Sequence, residues 1–222
     1  MRAMILAAGR GERLRPLTDR VAKPLVEVGG QSLIVRHLRA LAGAGIDQIV
    51  INVSWLAEQI MQTLGDGSRW GVEIRYSVEP PGALETAGGI SRALPLLDSP
   101  LFLAVSADVL CDFDYGRLIG LQPEGLAHLV MVDNPAHHPM GDFALDAAGR
   151  LHAAEGNGLT YSGIGLFRSR MFESLDPDQP MPLRPLLDRA IQAGQLSGQH
   201  HPGRWMDIGT PERLAGAQDR GW

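Results

Sequence analysis

Residues 6–18 read LAAGRGERLRPLT and follow directly on Ala3-Met4-Ile5, so a flexible, positively charged loop stands behind a short apolar run. The run Ala3–Ala7 carries no polar side chain, which predicts a strand covered on both faces. In an open parallel sheet, ligands sit beyond the carboxyl ends of the strands. At such a place Gly9 and Gly11 let backbone N–H groups approach phosphate oxygens with no Cβ in the way. Arg10, Arg13 and Arg15 add planar donors that suit polyphosphate. A lone Gly-x-Gly is equally what a solvated loop looks like. Neither common nucleotide template fits: G-x-x-x-x-G-K-[ST] is missing, and G-x-G-x-x-G needs glycine where Leu14 stands.

Outward from this loop, strand-like and helix-like segments alternate. Gln31–Ala44 places Leu33, Ile34, His37, Leu38 and Leu41 at helical spacing, and Gly45 stops it. Strands are predicted at Gln48–Val53, Val72–Val78 and Leu101–Ser106, with helices near Leu56–Leu64 and Thr86–Leu97 between them. Helices of this length imply right-handed crossovers and a mostly parallel sheet. Past residue 120 the pattern changes to strands at Leu126–Val132, Asp142–Leu145, Leu151–Ala154 and Thr160–Phe167, then helices near Arg184–Ala193 and Pro211–Gln218. The predicted class is α/β, a doubly wound, mostly parallel, Rossmann-like sheet with a strand-rich insertion over its carboxyl edge.

Composition narrows the partners. A formal net charge of −5 argues against sequence-independent nucleic-acid binding, which rests on excess Lys and Arg. The single cysteine, Cys111, rules out an internal disulfide and suits a reducing compartment. No apolar run approaches the roughly 20 residues that span a bilayer. Met1-Arg2 followed by AMILAAG imitates a secretory leader, but Arg10, Glu12, Arg13 and Arg15 stand where a cleavage region is uncharged. The stretch reads as a buried strand, and the protein as cytoplasmic with no membrane partner.

Further motifs agree with the opening loop. Lys23-Pro24 lies within AKPLVEVGGQSLI, ALETAGGI occupies 83–90, VSAD (105–108) ends the fourth strand, and WMDIGTPERL spans 205–214. Together these resemble the sugar-phosphate nucleotidyltransferases over essentially the whole chain. The resemblance implies attack by a sugar 1-phosphate on the α-phosphorus of a nucleoside triphosphate, with pyrophosphate leaving. It implies nucleotide contacts from Ala8, Gly9, Gly11, Glu12, Arg13 and Lys23, the last two catalytic, and a base pocket of Glu85, Thr86 and Gly88. Asp108 and Asp207 are expected to hold Mg²⁺, whose preference is for carboxylate, phosphate and water oxygens.

The sugar is expected at Ser106, Gly141 and Glu155, alongside YSGIG (161–165). Two positions depart from the family pattern: Glu12 replaces a threonine, and Ser106 stands where relatives carry Asn or Tyr. The resemblance divides one domain, 1–222, into a nucleotide-binding half (about 1–120) and a sugar-binding half (about 121–222), with a single activity. The LETAGG form resembles that of uridylyltransferases within the family, which implies UTP as donor and N-acetylmuramic acid 1-phosphate as acceptor, although mannose 1-phosphate guanylyltransferases carry a similar segment. A non-catalytic nucleotide-sugar binder is the rival from another class, and it would have lost Arg13, Lys23, Asp108 or Asp207. Asp112 and Asp114 read as turn or capping residues, Cys111 as packing, His137-His138 as the site rim, and His200-His201 as a surface loop with no acidic partner.

Overall fold

The computed structural model describes residues 1–156 and 158–222. The chain runs through β1 (Arg2–Leu6), a hairpin of β2 (Glu27–Val28) and β3 (Gln31–Ser32), and α1 (Leu33–Gly43). Then come β4 (Gln48–Val53), α2 (Ala57–Leu64), β5 (Glu73–Val78), α3 (Glu85–Leu97) and β6 (Leu101–Ser106). The second half adds β7 (Val109–Cys111), β8 (Ala127–Val132), β9 (Phe143–Leu145), β10 (Leu151–Ala153) and β11 (Thr160–Arg168). It finishes with α4 (Arg184–Gln192), β12 (Leu196–His201), β13 (Trp205–Asp207) and α5 (Pro211–Asp219).

Seven strands form the main sheet in the order β12-β8-β11-β6-β1-β4-β5, parallel at every junction except the two made by β11. Both faces are buried, and strand periodicity divides the side chains between them. Ala3 and Ile5 of β1 pack with Ile34, Leu38 and Leu41 of α1 on one face. Met4 points the other way, into Ala87, Ile90 and Ala93 of α3. This is the doubly wound sheet expected of the apolar runs. The strand-rich second half is shared out: β8, β11 and β12 extend the main sheet, whereas β9 and β10 form a separate two-stranded sheet, with Phe143 of β9 also bridged to Leu159.

From β1 the chain winds through α1 to β4 and through α2 to β5. Helix α3 then carries it back across the opposite face to β6, on the other flank of β1. The strand order therefore reverses at β1 and β6, leaving a crevice beyond their carboxyl ends. Near α1 the structure corrects the reading: Gln31 and Ser32 belong to a hairpin. Its turn, Gly29-Gly30, has φ of 57° and 74°, a pair that glycine adopts without strain.

Helix α1 also buries a titratable group. His37 Nδ1 lies 2.8 Å from the Tyr115 hydroxyl, and Nε2 has no hydrogen-bond partner among the described residues. Burial holds the imidazole at about 4, below its ordinary 6.5. The unfolded chain therefore binds the proton more tightly, so this contribution to stability is complete above pH 6.5 and is lost as pH falls towards 4. Its size is roughly 3 kcal/mol. Melting curves between pH 7.5 and 5 should show a steeper loss of stability for wild type than for His37→Gln. Equal slopes would exclude this histidine as the source.

Candidate active site

Two adjoining cavities occupy the crevice and share Ser106 and Asp108. The first, about 290 Å³, is lined by Ala8 and Gly9 behind β1, Lys23 and Pro24, Asn52 and Glu79 at the ends of β4 and β5, and Glu85 and Thr86 at the start of α3. The second, about 340 Å³, is lined by Arg13, His137, His138, Tyr161, Gly163, Trp205, Asp207 and Arg213. Ser106 lines both. A bulge in β11 brings Gly163 (φ 82°) so close that a Cβ there would stand 2.7 Å from Ser106 Oγ. A larger side chain at position 106 would meet the same backbone.

The two aspartates are brought together by a ribbon outside the main sheet. Strands β7 and β13 are antiparallel, with Asp207 opposite Val109, and the Ile208 N–H donates to the Asp108 carbonyl at 2.8 Å. Each carboxylate already faces a cation. Lys23 Nζ donates to Asp108 Oδ2, and Arg213 Nη1 donates to Asp207 Oδ2. Asp207 Oδ1 is buried and accepts no hydrogen bond; His137 Nε2 is 3.2 Å away. Among the described residues a buried carboxylate oxygen is thus left open beside a second carboxylate. Such an oxygen donor set suits a hard divalent cation.

The loop that carries Arg13 and Lys23 is held from below. Gly11 (φ 70°) lies so near Lys23 that a Cβ would be 3.1 Å from the lysine Cβ, and its carbonyl accepts from Thr18 Oγ1 at 2.8 Å. Trp55 Nε1 donates to the Thr18 carbonyl at 2.9 Å, and Arg10 stacks over the Trp55 ring at 4.3 Å. Gln59 accepts from the Ala22 N–H at 2.6 Å.

On the far side, Asn52 accepts from the Ala7 N–H (2.9 Å) and donates to Glu79 Oε1 (2.6 Å), while Glu79 Oε2 accepts from the Leu84 N–H (2.8 Å). This buried network ties the ends of β1, β4 and β5 to the 83–86 segment. There Ala83 and Glu85 adopt φ of 55° and 60°, at a cost of about 1–2 kcal/mol each for residues with a Cβ. Such strain persists only where surrounding contacts over-determine it.

A model of the nucleotidyl transferase family matches residues 2–220. The chain belongs to that family. It is similar to the N-acetylmuramate alpha-1-phosphate uridylyltransferase of Neisseria meningitidis serogroup B, at 50% identity over 98% of this chain and 97% of the relative. Similarity to a mannose-1-phosphate guanyltransferase of Gibberella zeae is lower, 29%, covering 96% of this chain and 62% of that protein. The crystal structure of HddC from Yersinia pseudotuberculosis superimposes with a TM-score of 0.82 over 99% of this chain and 98% of that one. At 22% identity this likeness speaks for the fold alone.

Five of the expected site residues, Gly11, Glu12, Gly88, Gly141 and Glu155, line neither cavity. Gly88 faces protein: a Cβ would meet the Gln179 carbonyl at 2.6 Å, and its N–H donates to the Met181 carbonyl. Gly141 (φ 65°) closes a loop against the Gly158 backbone, and neither it nor Glu155 lines either cavity. Gly11 and Glu12 line neither cavity, although Gly11 seats Lys23.

The histidine pair at 200–201 is in β12, each with an acid: His200 with Asp133 at 2.9 Å and His201 with Asp112 at 2.7 Å. The strand is polar because it is the sheet edge. Asp114 does cap, accepting from the Gly116 N–H, whereas Asp112 fastens β12 to β7. Burial pushes the neighbouring Cys111 thiol up to about 12, which keeps it protonated and packed. His137 and His138, expected at the rim, line the second cavity, whereas Asn52, Glu79 and Arg213 are site residues that the motifs do not single out.

Proposed function

We propose that this nucleotidyl transferase moves a uridylyl group from UTP to N-acetylmuramic acid 1-phosphate, giving UDP-N-acetylmuramic acid and pyrophosphate. The observation that carries the reading is 50% identity to the meningococcal uridylyltransferase along almost the full length of both chains. The site geometry supports the chemistry. The nucleophile is an already ionised phosphate oxygen, so no side chain has to remove a proton. Catalysis reduces to in-line placement and neutralisation of charge.

The first cavity receives base and ribose against Ala8, Gly9, Glu85 and Thr86, which sets the α-phosphate beside Lys23. The second takes the sugar along Tyr161, Ser162 and Gly163, with Arg13 at the phosphates. The part-buried Lys23 meets phosphate oxygens in a partly desolvated setting, where charge-assisted hydrogen bonds are strong, and the exposed Arg13 meets them from the wall of the second cavity. Asp108 and Asp207 would hold Mg²⁺, which would supply charge neutralisation at the phosphates. One unit spans both halves, residues 1–120 serving the nucleotide and 121–222 the sugar.

Steady-state pyrophosphate release with N-acetylmuramic acid 1-phosphate, N-acetylglucosamine 1-phosphate and mannose 1-phosphate, each with UTP and with GTP, tests the assignment. The highest kcat/KM is expected for UTP with the muramic acid derivative. A preference for GTP with mannose 1-phosphate would overturn it.

A further inference from the structure

Arg213 lies in the WMDIGTPERL stretch with no role assigned to it there, yet it makes the closest contact to Asp207. It stands in the first turn of α5, six residues past the aspartate. Its Nη1 donates to Asp207 Oδ2 and approaches His137 Nε2 at 3.0 Å. Its side chain is largely buried, 16% exposed, so this is no solvated surface pair. The same guanidinium lies over Gly209: a Cβ there would be 2.9 Å from Arg213 Nη2 and 3.1 Å from Arg13 Nη2. Two guanidinium groups therefore converge on one glycine at the wall of the second cavity, with the carboxylate of Asp207 shared on one side only.

We infer that Arg213 is a resident stand-in for the divalent cation at Asp207, and that it exchanges one anion for another during binding. With Asp207 free of metal, the guanidinium neutralises it and repels an incoming cation. When Asp207 turns to a divalent ion, Arg213 loses its partner and is left beside Arg13, where a substrate anion replaces the carboxylate. Metal and sugar 1-phosphate then bind cooperatively, each lowering the cost of the other. Linkage makes the effect reciprocal. Arg213 is a positioning residue in this scheme, acting through Asp207. The inference rests on the proposed metal role of Asp207, so its test must separate the two.

Mn²⁺ affinity, measured by electron paramagnetic resonance with no turnover, provides that separation. Wild type should bind Mn²⁺ weakly alone and several-fold more tightly with N-acetylmuramic acid 1-phosphate present. Arg213→Met should bind Mn²⁺ alone about tenfold more tightly than wild type, because a buried carboxylate is released and a neighbouring positive charge removed. It should also lose the sugar-phosphate effect. Arg213→Lys, which keeps the charge, should stay near wild type. Equal or weaker Mn²⁺ binding by Arg213→Met overturns the exchange. So does a wild-type affinity indifferent to sugar phosphate, a measurement that requires no variant to fold. Asp207→Ala reports on the underlying reading: if it binds Mn²⁺ as wild type does, Asp207 is not a metal ligand and the proposed site fails instead.

Discussion

Asp207→Ala and Asp108→Ala should each yield a folded protein whose turnover is lower by about a thousandfold or more. Removing a single preorganised charge-stabilising group at a reacting centre costs about a hundred- to a thousandfold, and here the divalent cation is lost as well. The fold should tolerate both changes, because the β7–β13 ribbon is held by backbone hydrogen bonds. Pyrophosphate release at saturating Mg²⁺, with circular dichroism as the control for folding, checks each variant. Near wild-type turnover in either would remove that aspartate from the site. Asp207→Ala should also free Arg213, so any loss of melting temperature is expected to be larger for Asp207 than a solvated aspartate would give.

Lys23→Ala should be the next most damaging change, lowering kcat/KM by about a hundredfold or more. Its stability effect is not zero, since the lysine is paired in the protein itself. Lys23 and Asp108 have side chains only 14% and 30% exposed, and truncation leaves the carboxylate without a partner. A loss of about 1 kcal/mol is expected. A divalent cation that prefers the native state should offset it, so Mg²⁺ ought to raise the melting temperature of Lys23→Ala by more than that of wild type. Normal activity with a lowered melting temperature would make Lys23 a structural lysine and nothing more.

Much of this site was legible because phosphate chemistry restricts residue types. Gly9, Arg13, Lys23, Asp108 and Asp207 stand in dense local motifs, and the apolar runs of β1, β4 and β6 needed no partner to be read. The remainder depends on what the sequence does not display. Strands β7 and β13 are three residues each, too short for any periodicity to register. Strand β12 is a polar edge, which is why His200-His201 read as a surface loop. Gly88 and Gly141 were recognisable as positions where something comes close. In both cases the neighbour is this chain's own backbone, and only the fold reveals that. Arg213 carries no signal of its own, since a charged residue in the first turn of a helix is ordinary.

The ribbon of β7 and β13 has a consequence for biosynthesis. Asp108 and Asp207 are roughly a hundred residues apart in sequence, and only this late contact makes them neighbours. A nascent chain that has emerged as far as β12 already holds the seven strands of the sheet, with Arg13 and Lys23 in their loop. It lacks Asp207 and Arg213, and Asp108 then has Lys23 as its counter-ion and no second carboxylate to face. With Asp207 as the proposed metal ligand, nucleotidyl transfer is withheld until translation has passed residue 207.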